Sequence, residues 1–300
     1  MLNLTTAEVD TYFEYKLENT FAVVEMVITS FGVILNICCY FTAANFKNQN
    51  SSITLIKCLA FWDTMVIINE GYVMQGGDYF GYQLRNVNTY CCKAFYFHMW
   101  GTFLCGSYHM TVLAFDRVIA IHWPVQYKQK SSSGVAHGVS FIVIGFCYFL
   151  TLPFFFKFDI VDSGCRLNSS PFFALWYTAT VAIGFYCTIP FAIVSFCNVY
   201  FIYVINNRKR EKSSGERRLT IMLLTNSTVF CVLLLTNCII ATVLYSLDKS
   251  TLHGMATAIV VEKILGVTAI TNSSVNFIFF FISGPMFREN FFLIFKRKNS

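Results

Sequence analysis

Hydrophobic positions along the chain fall into seven long runs that short polar stretches separate. The runs cover residues 20–44, 54–76, 89–122, 136–156, 173–206, 217–246 and 255–283. Each run is close to or longer than the ~20 residues that an α-helix needs to cross a bilayer. The short alternating strands of a membrane β-barrel are missing from the pattern. It therefore predicts an all-α membrane protein, a seven-transmembrane helix bundle whose backbone groups are satisfied within each helix.

The composition excludes a soluble domain. The 300 residues are 56% hydrophobic and 13% charged, and their mean hydropathy is +0.56, far above the globular average. We expect residues 1–19 to form an extracellular N-terminus and residues 20–283 to form the bundle. Residues 284–300 are expected to be a short amphipathic eighth helix and a cytoplasmic tail, because phenylalanines there alternate with Arg and Lys as in helices at a membrane surface.

Charge sets the expected orientation. Most of the 22 Lys and Arg residues lie on one side of the bundle, many of them between Arg208 and Arg218, and the positive-inside rule makes that side cytoplasmic. The N-terminal region is acidic, with Glu8, Asp10, Glu14, Glu18 and Glu25 against Lys16. We therefore expect a multi-pass plasma membrane protein with its N-terminus outside and its C-terminus inside. The net charge of +6 reflects this topology and not nucleic acid binding. No cleavable signal peptide is expected, because the first apolar run is too long and lacks a basic start.

The expected outer face carries three of the 12 cysteines and two glycosylation sequons. A disulfide from Cys91 or Cys92 to Cys165 would fix the loop between the fourth and fifth helices, and Cys92 is favoured. The alternative is three unpaired thiols. The sequons begin at Asn3 and Asn168, although a proline follows the second and weakens it.

An acid and a base stand together near the end of the third run, as Asp116 and Arg117. Charges inside a membrane bundle are costly, so they are held by partners or lie at the membrane edge. Tolerated charges of this kind are usually part of a switch.

Ordered marks along the chain resemble the rhodopsin-like (class A) G-protein-coupled receptors. The marks are Asn36; Leu59-Ala60-Phe61-Trp62-Asp63; Cys92; Asp116-Arg117-Val118; Pro124; Pro190; and Asn272-Ser273-Ser274-Val275-Asn276 followed by Phe277 and Phe280. The resemblance covers nearly the whole chain. It implies a receptor that binds an extracellular ligand and activates a heterotrimeric G protein, and the residues below are assigned from it.

Several positions depart from that family. The sixth helix has Leu234 and Thr236 where the family has a tryptophan and a kinking proline. The seventh has Phe277 for proline and Phe280 for tyrosine, and the fifth has Asn198 for tyrosine. These departures motivate an alternative, a receptor that binds ligand but couples weakly or not at all.

The coupling and switch residues that the resemblance implies lie near the inner end of the bundle. They are Asp116, Arg117, Pro124, Val125, Glu216, Phe230, Asn276 and Phe280. Asp116 and Glu216 are expected to hold Arg117 in an inactive state, with Val125 facing the G protein. Alternatively, Glu216 pairs locally with Arg217 or Arg218, at about 0–1 kcal/mol for an exposed pair.

Asp63 is an ionisable residue deep in the second helix and therefore a functional candidate. The resemblance implies a sodium site at Asp63, Asn272, Ser273 and Asn276, with Asn36 nearby. Oxygen ligands suit a hard cation, but Gly106 stands where the family has a serine, and Ser107 points about 100° away. The alternative is a water-filled network without sodium. No other cofactor is expected.

The ligand site is expected in the outer half of the bundle. The candidates are Glu70, Tyr96, Met99, Trp100, Phe103, Asn237, Glu262 and Gly266. The third-helix members of this set recur at helical spacing and share one face, although such a stripe also arises from ordinary packing. Met99 replaces the acid of amine receptors, and Ile270 replaces the lysine of opsins. A peptide is the preferred ligand, by resemblance to invertebrate neuropeptide-type receptors.

Other classes fit the chain less well. A transporter would show an internal repeat or paired broken helices, and neither is present in the sequence. A membrane enzyme would need a nucleophile or metal motif, but the five histidines are scattered. Besides ligand and G protein, the expected partners are membrane lipids, and no nucleic acid.

Overall fold

The chain forms a helical bundle in the computed structural model, which describes residues 6–161, 164–168, 170–207, 214–247 and 252–296. In chain order the helices are α1 (Thr6–Ala44), α2 (Ser51–Ile67), α3 (Gly77–Tyr79), α4 (Thr89–His122), α5 (Pro124–Lys130), α6 (Ser133–Lys157), α7 (Pro171–Ala179), α8 (Ile189–Asn207), α9 (Ser214–Ser246), α10 (Leu252–Ser274), α11 (Asn276–Ser283) and α12 (Pro285–Lys296). Two π-helical stretches, Ile68–Gly76 and Thr180–Thr188, join α2 to α3 and α7 to α8, and a 3-10 turn, Leu84–Asn86, precedes α4.

These elements make seven membrane segments. Segments 1 to 7 are α1; α2 through α3; α4; α6; α7 through α8; α9; and α10 with α11. Six stretches in the described residues are long and apolar enough to cross a membrane: Asn19–Ala44, Ser51–Tyr79, Ser133–Lys157, Trp176–Val204, Ile221–Ser246 and Thr257–Ser283. Segment 3 has 34 residues and packs against segments 2, 4 and 5, so it is the central helix. The predicted seven-helix bundle is confirmed.

Most predicted helix ends lie within three residues of the observed ones. The third run, 89–122, coincides with α4. Its start is fixed by Asn88, whose side chain accepts a hydrogen bond from the backbone N–H of Cys91 at 2.8 Å, as expected of an N-cap. Segment 1 differs, because α1 begins at Thr6 and not near residue 20. Residues 6–19 of the expected N-terminal stretch therefore belong to this helix.

Segments 6 and 7 differ in the continuity of their helices, although both lack the proline that the resemblance would place there. The hydroxyl of Thr236 donates to the carbonyl of Val232 at 3.0 Å, and α9 runs unbroken from Ser214 to Ser246. Segment 7 is interrupted at Val275, between α10 and α11. An interruption therefore exists in segment 7 although residue 277 is a phenylalanine.

Polar and apolar residues are distributed as a bilayer requires. Large hydrophobic side chains are exposed on the outer faces of the helices, among them Phe141, Ile142, Phe149 and Phe196. Buried positions between the helices include Asn36, Asp63 and Asn276. The apolar outer face suits contact with lipid, and polar groups are buried between the helices, as expected of a membrane bundle.

A β-hairpin follows segment 4, in a loop whose hydrophobic pattern is too irregular to predict an element. Strands β1 (Phe158–Val161) and β2 (Gly164–Leu167) are antiparallel, with Ile160 opposite Cys165. Cys165 is bonded to Cys92 at the start of α4, so the hairpin is attached to the central helix. We call this the hairpin end of the bundle, and the opposite end the arginine end, after Arg117.

Candidate functional site

A cavity of about 110 Å³ lies in the half of the bundle nearer the hairpin end. Segments 2, 3, 5, 6 and 7 all contribute to its wall. Six of the eight residues predicted to bind ligand line it: Glu70, Met99, Trp100, Phe103, Glu262 and Gly266. At 1.5 Å per helical residue, its third-segment wall lies about 10–17 Å from Cys92.

The other two predicted ligand residues contact neighbouring parts of the protein. The Tyr96 ring stacks on that of Phe158 in the hairpin, with centroids 3.9 Å apart. Asn237 is fully buried and accepts a hydrogen bond from the hydroxyl of Thr268. Tyr96 therefore connects segment 3 to the hairpin, and Asn237 connects segment 6 to segment 7.

Both π-helical stretches border this cavity. Glu70 and Met74 belong to the first stretch, and Ala182, Tyr186 and Cys187 to the second. Insertions of this kind turn side chains away from their regular α-helical direction and are frequent at functional sites. The hydrophobic pattern does not reveal them.

Glu70 belongs to a polar group in the cavity wall. Its Oε1 atom accepts from the Gln75 amide at 3.3 Å, and Lys263 donates to Gln75 Oε1 at 2.6 Å. Glu25, which the sequence placed with the acidic N-terminal residues, is fully buried beside Gly266. Its position inside the first apolar run is the signal that could have marked it.

Asp63 lies at the centre of a second polar group, deeper in the bundle. Its Oδ2 atom accepts from the Asn276 amide at 2.6 Å, and the Ser273 side chain also hydrogen-bonds to it. Asn272 Oδ1 is buried without a hydrogen-bond partner among the described residues. These groups surround a space of about 10 Å³, close to the minimum for one water.

The oxygen groups around Asp63 are of the kind that suits a hard cation. Three of the predicted ligands supply a carboxylate, a hydroxyl and the unpartnered amide oxygen. Ser107 borders the same space, but its hydroxyl donates to the Tyr186 carbonyl at 3.1 Å. Gly106 lies beside Asp63, and an added Cβ there would be 3.2 Å from its Oδ1 atom. The donor set fits a cation, with little room to spare.

A chain of side-chain amides connects segment 6 to this group. Asn226 donates to Asn276 Oδ1 at 3.0 Å, and Asn276 in turn donates to Asp63. Phe230, one turn from Asn226, is buried and borders the same space. Asn226 was not predicted, because it stands in an apolar run and nothing in the sequence marks its partner.

Arg117 is buried near the arginine end, with 5% of its surface exposed. It donates to Asp116 Oδ2 at 2.7 Å and to the hydroxyl of Tyr127. Tyr127 donates to the same Asp116 oxygen at 2.9 Å. Hydroxyls of Ser51 and Ser52 also bond to Asp116. The acid and base predicted to form a switch are thus held together, by partners that the sequence did not reveal.

The remaining switch residues lie on α5, α9 and α11. Pro124 begins α5, the short helix that carries Tyr127, and Val125 is exposed on it. The side chain of Glu216, the predicted second partner of Arg117, lies outside the described residues. Phe280 is fully buried, with its ring centroid 5.7 Å from that of Phe287 in α12.

Phe277 has a similar role to Phe280. Its ring lies 5.8 Å from Phe287 and 5.5 Å from Phe291, centroid to centroid. The two phenylalanines that replace a proline and a tyrosine therefore pack α12 against segment 7. Aromatic packing is therefore found at the two positions where the resemblance would place a kinking proline and a tyrosine hydroxyl.

The disulfide joins Cys92 to Cys165, as the sequence favoured, and Cys91 is a free thiol. The hairpin is held further at Asp159, which accepts hydrogen bonds from the Thr89 hydroxyl at 2.9 Å and from the Ile160 N–H at 2.8 Å. These bonds hold the pKa of Asp159 below its usual value. Asn168, a predicted glycosylation site, is exposed just after β2, and Asn3 lies outside the described residues.

Residues 32–279 match the family described as 7 transmembrane receptor (rhodopsin family). The match covers 248 of the 300 residues. The chain therefore belongs to the rhodopsin family of seven-transmembrane receptors. It is a multi-pass plasma membrane protein with a signalling role, in a family that is generally non-enzymatic. None of the curated proteins compared with the chain matches it.

Proposed function

We propose that the chain binds a peptide from outside the cell in the cavity near the hairpin end and activates a heterotrimeric G protein at the arginine end. One observation carries this proposal. The cavity is lined by five of the seven segments, so an occupant contacts helices that a signal would have to move. Its apolar wall with a few polar groups is typical of a ligand site.

The orientation proposed from charge agrees with this arrangement. The disulfide lies at the hairpin end, which suits an oxidising extracellular face. The basic stretch between segments 5 and 6 belongs to the arginine end by chain order. Val125 is exposed there and is available to a G protein.

We propose that Arg117 is the inner part of the switch. Its charge is satisfied by Asp116 and Tyr127 in the structure, and Glu216 is proposed to add a second carboxylate from segment 6. Activation would separate segment 6 from segment 3 and release Arg117, in keeping with a two-state equilibrium that a ligand biases.

A cavity-filling substitution tests the ligand proposal. Met99→Trp should abolish peptide-dependent G-protein dissociation in cells, because the larger ring occupies the cavity. Ile142→Trp is the matched control, since Ile142 is exposed on the outer face of segment 4. Cells expressing the native chain are first screened against a peptide library. If both variants reach the cell surface and respond equally, the cavity is not the ligand site.

A receptor with weak coupling is the second candidate. Phe280 has no hydroxyl and is packed against Phe287, so a hydrogen-bonded relay through that position is unavailable. Labelled-peptide binding without G-protein dissociation would favour this candidate over the first.

Sodium is proposed to occupy the space beside Asp63. NaCl should then raise the melting temperature of the purified receptor more than an equal concentration of N-methylglucamine chloride. Asp63→Asn removes the charged ligand and should abolish the difference. Equal melting temperatures in the two salts would instead support a water-filled network.

A further inference from the structure

We propose that Glu25 and Glu70 together bind a cationic group of the ligand, a protonated amine, amidinium or guanidinium, at the surface of Gly266. This inference rests on the proposed ligand cavity. It adds a residue of segment 1 to the site and assigns the charge of the ligand.

Glu25 is an acid of segment 1 that lies inside the bundle. Its side chain is fully buried, yet neither carboxylate oxygen has a hydrogen-bond partner among the described residues. Thr29, one turn further along the same face of α1, is also fully buried, and its hydroxyl likewise has no partner in the described part of the chain. Burying such groups without partners costs free energy. A bound ligand that supplies donors would remove this cost.

The position of Gly266 brings the two acids to one place. A Cβ built on Gly266 would lie 3.0 Å from Glu25 Oε1 and 3.1 Å from Glu70 Oε1. The two carboxylate oxygens therefore lie close to one point beside Gly266 and close to each other. Since Gly266 has no side chain and borders the cavity, a cationic group with several N–H donors can approach both carboxylates beside this glycine.

The charges around this point are not balanced. Lys263 and Arg85 are cations near Glu70, but Lys263 donates to the side chain of Gln75 and Arg85 pairs with Asp78. Neither Glu25 nor Glu70 takes part in an ion pair within the described residues. The two acids are therefore left without a bonded cation in the described part of the chain, which favours a positively charged occupant over a neutral or anionic one. The rim residue Glu262 adds a further acid to the cavity wall.

The apolar wall of the cavity restricts the part of the ligand that is attached to the cationic group. Met99, Trp100 and Phe103 line the same cavity as Glu70 and Gly266. Aromatic rings also stabilise cations over their faces. A planar cation on a small ring system is therefore a suitable probe.

Benzamidine and benzamide provide a matched pair of probes. They have nearly the same shape, but benzamidine is a cation that can donate to carboxylates from two N–H groups, and benzamide is neutral. Binding is measured to the purified full-length receptor in nanodiscs by titration calorimetry or thermal shift at pH 7. We expect benzamidine to bind about tenfold more tightly or better, the difference that one charge-assisted hydrogen bond provides.

The substitutions Glu25→Gln and Glu70→Gln keep the side-chain shape and remove the charge. Each should reduce the preference for benzamidine about tenfold, while benzamide binding stays the same and shows that the cavity is intact. Gly266→Ala should weaken benzamidine through the added methyl group. Glu289→Gln is the control, since Glu289 is an exposed acid on α12 at the other end of the bundle.

Two results would overturn the inference. Equal binding of the two probes to the native receptor would mean that the cavity does not select a cation. An unchanged preference in Glu25→Gln would leave Glu25 a structural residue. Neither result depends on G-protein activation, so failure here leaves the coupling proposal standing. Conversely, a receptor that selects benzamidine but does not couple would contradict the proposed function alone.

Discussion

Tyr127 connects two charges that the sequence already marks as a pair. Its hydroxyl accepts from Arg117 and donates to Asp116, and it also lies 2.9 Å from the Ser51 hydroxyl. A single phenol therefore satisfies a guanidinium and a carboxylate together. Because Arg117 is buried, this hydroxyl affects the free energy of the charged pair more than a surface group would.

Tyr127→Phe should destabilise the receptor by about 1.5–3 kcal/mol, the range for hydrogen bonds to charged groups. The loss is measured as a lower melting temperature of the purified protein. Tyr90→Phe is the control, because Tyr90 is highly exposed at the start of α4. Equal melting temperatures for both variants would show that the Ser51 and Ser52 hydroxyls compensate fully.

The sequence identifies residues that carry unusual chemistry but not their partners. Asp116, Arg117 and Asp63 stand out as charges in apolar runs, and the structure places each in a polar group. Tyr127 and Asn226 do not stand out, because tyrosine is enriched at membrane interfaces and an asparagine in a membrane helix can bond to any neighbouring helix. Their partners depend on how helices that are distant in sequence are oriented relative to one another. The hydrophobic pattern of a single helix does not determine this orientation.

The disulfide attaches the hairpin to the central helix across 73 residues of sequence. The paired replacement Cys92→Ser and Cys165→Ser should lower the free energy of unfolding by about 2–5 kcal/mol, because the unfolded chain regains a long open loop. Cys91→Ser is a close control, since Cys91 is adjacent and free. A loss of equal size in Cys91→Ser would indicate that the two thiols exchange.

The turn from α11 into α12 depends on Gly284. An added Cβ there would lie 2.6 Å from the Phe280 carbonyl oxygen and would also overlap Met222. Gly284→Ala should therefore lower stability by about 1–3 kcal/mol, as overpacking does. Gly145→Ala is the control, because nothing lies within 4 Å of its added Cβ in α6, and it should melt at the native temperature or above. Equal melting of the two variants would show that α12 shifts freely.

At the scale of elements, helices were predictable and irregular pieces were not. Apolar runs gave most helix ends within three residues because lipid demands continuous apolar surface. The start of α1 was missed, since its first turns are polar and give no hydropathy signal. The hairpin and the two π-helical stretches were also missed, because each depends on pairing or backbone adjustment and not on periodicity.

Across the whole molecule, three candidate sites follow one another along segment 3. The cavity beside Met99, the group at Gly106 and the pair at Arg117 follow each other, and Met99 and Arg117 are about 27 Å apart at 1.5 Å per residue. A ligand and a G protein are thus proposed to act at opposite ends of one helix. The amide chain from Asn226 to Asp63 joins segments 6, 7 and 2 between those ends.

Glu216→Ala tests the proposed closed state of the whole bundle. Removal of this acid should raise basal G-protein signalling, because one of the groups proposed to hold segment 6 near Arg117 is lost. Nucleotide exchange in membranes without ligand is the measurement, at matched surface expression. Glu289→Ala should leave exchange unchanged, and an equally unchanged Glu216→Ala would remove Glu216 from the switch.

The interruption at Val275 has a consequence for how segment 7 can move. A proline permanently deletes an amide donor, so a helix bent by one cannot regain the missing bond. Here the following residues, Asn276 and Phe277, both keep their backbone N–H groups. The interruption can therefore be reversed. Because no backbone donor is missing, segment 7 is free to change between an interrupted helix and a continuous one.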